Sequence, residues 1–93
     1  MNVKEHYAVL AGKKLRELRL EQKYTAAEFA RLAGIKSEQQ LYRYERGMNK
    51  ITIDTLIFAL SCLQVDIPQF FESLIVEEIR QEKAEFSLIN SDA

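Results

Sequence analysis

The chain has 93 residues, 47% apolar and 29% charged, so it supports a single hydrophobic core and disorder is not the expectation. One proline and three glycines argue against a turn-rich β protein and for an all-α fold. The net charge of −1 hides a dipolar chain: residues 1–50 hold eleven Lys/Arg and six Glu, whereas residues 51–93 hold two basic and eight acidic groups. That asymmetry suggests a polyanion-facing half and a second half with another task.

The spacing predicts a first helix over residues 5–21, where Tyr7, Leu10/Ala11, Leu15 and Leu18 form one apolar stripe with Gly12 as a weak point within it. A short second helix opens at Thr25, an N-cap whose capping box is completed by Glu28, and turns Phe29, Leu32 and Ala33 inward. Gly34 supplies the left-handed turn that ends it, and Ile35 plugs back into the core. Ser37 caps a third helix over residues 38–46, which ends at Gly47 and has only Leu41 and Tyr44 as strong inward anchors. After the loop "MNKI", Thr52 caps a fourth helix with Ile53, Leu56, Ile57, Leu60 and Leu63 apolar. Asp66 caps a fifth, with Gln69 at the capping-box position and Pro68 in the first turn. That helix is expected to reach about residue 86, which makes 1–86 one domain and 87–93 a frayed tail.

Cys62 is the single cysteine and His6 the single histidine, so neither a disulfide framework nor a zinc set can be assembled. Cys62 reads as a buried core thiol and His6 as a surface residue. No apolar run approaches the ~20 residues of a membrane span, and the N-terminus lacks a signal-peptide core. A cytoplasmic protein with no membrane partner is the expectation. Paired carboxylates, a nucleophile–His arrangement and a phosphate-cradling glycine loop are all missing, so an enzyme is not expected, nor is a cofactor or metal. No ligand-binding domain follows, so no small-molecule ligand is expected either.

Two short helices joined by a glycine-containing turn, the second polar on its outer face, describe a helix-turn-helix. The face formed by Glu38, Gln39, Tyr42, Arg43 and Arg46, with Gln40 at its margin, is available to a DNA major groove. Glutamine can pair bidentately with adenine and arginine with guanine, while Tyr42 can pack on a thymine methyl or bond a phosphate. The start of the helix at Ser37 offers free N–H groups and a positive dipole end to a phosphate. A merely solvated helix is the alternative.

"TAAEFARLAGIKSEQQLYRYERG" resembles the helix-turn-helix of phage-repressor-type regulators, the Cro/cI-like or xenobiotic-response-element class. The matching features are Thr25, Ala30 with Gly34 four residues on, Ile35, Leu41 and the terminal Glu45-Arg46-Gly47. "ITIDTLIFALSCLQVDIPQFFE" is similar to that family's fourth helix and its turn into a fifth. The likeness spans about residues 11–72 and implies a five-helix, lambda-repressor-like DNA-binding domain with an extended C-terminal helix. Within the family, "EQQLYRYERG" and "ITIDTLIFALSCLQV" are most similar to small regulators linked to bacterial fimbrial operons, and then to restriction–modification controller proteins.

The resemblance implies that Glu45, which could otherwise accept from cytosine, pairs with Arg19. Base edges then fall to Glu38, Gln39, Gln40, Tyr42 and Arg43, and phosphates to Lys23, Thr25, Lys36, Ser37, Arg46, Asn49 and Lys50. Two departures stand out. Most members carry Gln where this chain has Ala26, so that phosphate contact should be missing. The interval from Gly34 to Glu45 is also one residue longer than usual. Placing the extra residue in the turn "GIKS" keeps Leu41, Tyr44 and Glu45 in register; placing it inside the helix shifts the base assignments by one.

One recognition helix covers half a site, so a homodimer reading palindromic double-stranded DNA is expected, joined through Phe70, Phe71, Leu74, Ile75 and Ile79. The competing expectation is an antitoxin or adaptor that binds a partner protein with its acidic C-terminal helix.

Overall fold

The computed structural model describes residues 6–90, with side-chain surroundings for 6–84. Five helices follow in order: α1 His6–Glu21, α2 Ala26–Leu32, α3 Glu38–Glu45, α4 Ile53–Cys62 and α5 Ile67–Asn90. No strand occurs among the described residues.

Local chemistry sets most of these boundaries. The Thr25 hydroxyl accepts from the Glu28 N–H at 3.1 Å, while the Glu28 carboxylate accepts from the Thr25 N–H at 2.9 Å, a complete capping box. Ser37 accepts from Gln40 N–H at 3.0 Å, Thr52 from Thr55 N–H at 3.2 Å and Asp66 from Gln69 N–H at 2.9 Å. Helices α1 to α4 share one way of stopping. Each is followed by a residue in the left-handed conformation, namely Lys23, Gly34, Gln64 and Gly47. The next N–H then reaches five residues back: Tyr24 to Arg19, Ile35 to Ala30, Met48 to Arg43 and Val65 to Leu60. Two of those four positions lack glycine and hold a conformation costly to a side chain.

The core draws on every helix. Leu15, Phe29, Leu41, Leu60 and Leu63 are essentially inaccessible, and Phe70 and Leu74 close it from α5. Gln22 Nε2 donates to the Leu63 carbonyl at 2.7 Å and ties the end of α1 to the end of α4.

Several expectations are corrected by the packing. Leu32 faces solvent because the inward arc of the seven-residue α2 is filled by Ala26, Phe29 and Ala30, with Ala33 just beyond its end. Tyr7, Ile53 and Ile57 are also exposed, for α1 and α4 bury only the half of each stripe that meets the core. Cys62 is half-buried rather than buried, and its thiol lies 3.7 Å from the Leu32 carbonyl. His6 is not a free surface residue: it is half-buried and its imidazole meets the Glu78 carboxylate on α5. Phe70 and Leu74, expected at a dimer surface, belong to this chain's own core. Where a tail from residue 87 was expected, the backbone stays helical to Asn90, and residues 91–93 lie outside the described part.

Candidate nucleic-acid interface

Helix α3 is only eight residues long and strongly polar, too short and too hydrophilic to be stable alone. Three attachments seat it. Leu41 is fully buried beneath it. Arg19, at the end of α1, clasps Glu45 by two parallel bonds, Nε to Oε2 at 2.7 Å and a terminal nitrogen to Oε1 at 3.0 Å. The other guanidinium nitrogen donates to the Tyr24 carbonyl at 2.9 Å, so the fork is occupied on both sides. This carboxylate bond, opposed by burial, holds the Arg19 guanidinium above its ordinary range, helped by the nearby charge of Glu45 and the acidic groups of Tyr42 and Glu38.

The third attachment is Gly12. A Cβ at this position would stand 2.0 Å from the Tyr44 carbonyl oxygen, so α1 and α3 touch backbone to backbone there. What reads in the sequence as a weak point is the contact that lets the recognition helix dock. Only the missing side chain marks it, and a glycine inside a helical pattern signals close approach as readily as weakness.

With α3 seated this way, a turn of about 100° per residue sends Gln39, Arg43 and Arg46 away from Leu41. All three are exposed, and the Gln39 and Arg43 side chains carry no hydrogen bond or ion pair to another described residue. Glu38 and Tyr42 flank this row on one side and half-buried Gln40 lies on the other. The flank is tied together: the Tyr42 hydroxyl donates to Glu38 Oε1 at 3.2 Å, and the Arg46 guanidinium lies over the Tyr42 ring, 5.4 Å from its centroid. The i, i+4, i+8 spacing of these three was visible in the sequence, but the cluster was not expected.

The residues assigned to phosphate are exposed: Lys23, Thr25, Lys36, Ser37, Arg46, Asn49 and Lys50. Thr25 and Ser37 spend an acceptor lone pair on their helix caps, which leaves each hydroxyl proton able to donate outward. Ala26 is buried, so a side chain at this position turns into the core. Helix α3 is regular from Glu38 and keeps Leu41 and Glu45 inward.

Comparison with known proteins agrees with this architecture. The family model described as helix-turn-helix matches residues 15–70, more than half of the chain. The chain belongs to this helix-turn-helix family. It is similar to an HTH-type transcriptional regulatory protein of Pyrococcus abyssi, at 29% identity over 90% of this chain and 24% of that protein. It is also similar to an HTH-type transcriptional regulator of Rickettsia conorii, at 33% identity over 68% of this chain and 50% of that protein. The chain thus spans half the length, or less, of these curated relatives. No solved structure matches it.

Proposed function

We propose that the protein is a sequence-specific DNA-binding transcriptional regulator that works as a homodimer on a palindromic operator. The row Gln39–Arg43–Arg46, projecting from a helix held by three attachments on its inner face, carries this reading. Gln39 suits adenine and Arg43 guanine, each able to supply ~1–3 kcal/mol of discrimination. The surrounding lysines, with Thr25, Ser37 and Asn49, suit phosphates. Both relatives are named as transcriptional regulators, which supports the same conclusion. The leaning toward fimbrial-operon regulators rests on the likeness of α3 and α4, "EQQLYRYERG" and "ITIDTLIFALSCLQV", and neither relative supports it.

A monomer presents one recognition helix, and two placed ~34 Å apart would read two half-sites. A second copy of the chain is the proposed occupant of the apolar groove of ≈ 450 Å³ between α1, α4 and α5, whose walls include Tyr7, Ile53, Phe71 and Ile75. Exposed Ile79 extends this surface along α5. No single described helix is long and apolar enough to cross a membrane. The same exposure on an otherwise acidic helix favours the adaptor reading as the second choice.

Randomised-site selection with the purified protein tests the proposal. A palindromic motif is expected, with steep loss of affinity as salt rises, and Lys50→Ala should weaken all sequences alike and lower the log–log salt slope by about one. An affinity indifferent to salt and a selection without a motif would overturn it.

A further inference from the structure

Tyr42 has two chemically distinct ways of meeting DNA, as a hydroxyl that bonds a phosphate or as a ring that packs on an apolar group. The structure weighs against the first. Its hydroxyl donates to Glu38 Oε1, 3.2 Å away, and would have to leave that carboxylate to bond a phosphate oxygen. The carboxylate at this corner also repels the DNA backbone. Arg46 covers part of the ring and the half-buried phenol also packs against the core, so the carbon surface it offers outward is the part left between these two contacts. In the major groove the base-pair edges present donors, acceptors and one apolar group, the C5-methyl of thymine.

We propose that Tyr42 is a specificity-determining residue whose ring reads a pyrimidine C5-methyl group, thymine in unmodified DNA. Glu38 and Arg46 act as positioning residues that hold the ring from either end. This inference rests on the DNA-reading function proposed above, and it moves Glu38 from reading a base to orienting its neighbour. The three side chains follow at four-residue intervals, so they form one ridge that shifts with α3 as a unit. Orientation by a carboxylate and a guanidinium restricts the ring's freedom before DNA arrives, which lowers the ordering cost of contact.

The test uses the duplex recovered by randomised-site selection with the unaltered protein. Each thymine is replaced singly by deoxyuridine, which removes the methyl group and leaves every hydrogen-bonding group in place. One thymine per half-site should lose about fourfold in affinity, the scale of burying one methyl group. Tyr42→Phe should retain that ratio, because the ring remains, and Tyr42→Ala should abolish it. At the same position a cytosine should bind more weakly than 5-methylcytosine, which separates recognition of the methyl from recognition of thymine's other edge groups. The deoxyuridine and phenylalanine arms leave the fold undisturbed, so the result does not depend on whether Tyr42→Ala folds. A sharp motif with every deoxyuridine substitution neutral overturns the Tyr42 assignment alone. So does a Tyr42→Phe variant that no longer distinguishes thymine from deoxyuridine, which would make the hydroxyl rather than the ring the discriminating group. A selection that yields no motif overturns the DNA-reading function itself.

Discussion

Helices α3 and α5 differ in how their own chain treats them. Eight-residue α3 has little apolar surface, yet it is pinned by Leu41, by the Arg19–Glu45 clasp and by backbone contact at Gly12. Twenty-four-residue α5 is rich in apolar groups, yet among its described residues nothing beyond Leu74 is buried, and Ile75, Val76 and Ile79 face solvent. A helix's composition therefore indicates poorly how firmly it is held. The polar helix is held with its outer face free, and the apolar helix leaves part of its apolar face exposed, which under the proposed function is where a second copy sits.

The difference can be broken hardest at the clasp. Arg19→Ala or Glu45→Ala should cost about 3–5 kcal/mol in thermal or denaturant unfolding, because each leaves a charge buried without its partner. Melting temperatures equal to that of the parent protein in both variants would show that the pair does not anchor α3. Gly12→Ala comes next, at about 1–3 kcal/mol, since the added methyl meets a carbonyl oxygen rather than a yielding side-chain tip. The roughly 1 kcal/mol that alanine gains in helix propensity is too small to offset this. A more stable Gly12→Ala would show that the two helices can part freely.

A smaller effect lies one helix earlier. Thr25→Ala should cost about 1 kcal/mol by removing the α2 cap. The bond donated by the Thr25 N–H, with the Thr25 side chain adding to it, holds the Glu28 carboxyl below the ordinary glutamate range. A carboxyl depressed by folding contributes stability above its unfolded pKa and loses it as the pH falls through the folded value. Glu28→Gln should therefore flatten the acid limb of the stability–pH curve, and an unchanged limb would remove Glu28 from the cap's energetics. Least of all should be felt at Ile75. Ile75→Glu is expected to leave unfolding within about 0.5 kcal/mol, as surface substitutions do. In sedimentation the same variant should run as a monomer at concentrations where the unaltered protein is dimeric. A parent protein that is itself monomeric at high micromolar concentration would leave α5 needing another partner.

Legibility in the sequence followed the range of each interaction. The caps at Thr25, Ser37, Thr52 and Asp66 are readable because cap and target lie three residues apart and the chemistry is local. The polar arc of α3 is readable for the same reason, as periodicity alone separates Gln39 and Arg43 from Leu41. Arg19 and Glu45 stand 26 residues apart, and family likeness rather than pattern joined them. Gly12 was misjudged because nothing local shows that a second backbone passes 2.0 Å from the place of its absent Cβ. Phe70 and Ile75 look alike as apolar residues on one helix. Which faces the core depends on where α1 and α4 lie, and composition does not carry that.

The clasp between Arg19 and Glu45 also bears on regulation. Because α3 shares its carboxylate with α1 and its backbone contact with Gly12, it has no hinge of its own, and its amides should exchange with solvent only when the whole domain opens. Under the proposed function, the population able to engage an operator is then simply the folded population. Control that acts on copy number or on assembly would then change operator occupancy without any change in the posture of the recognition helix.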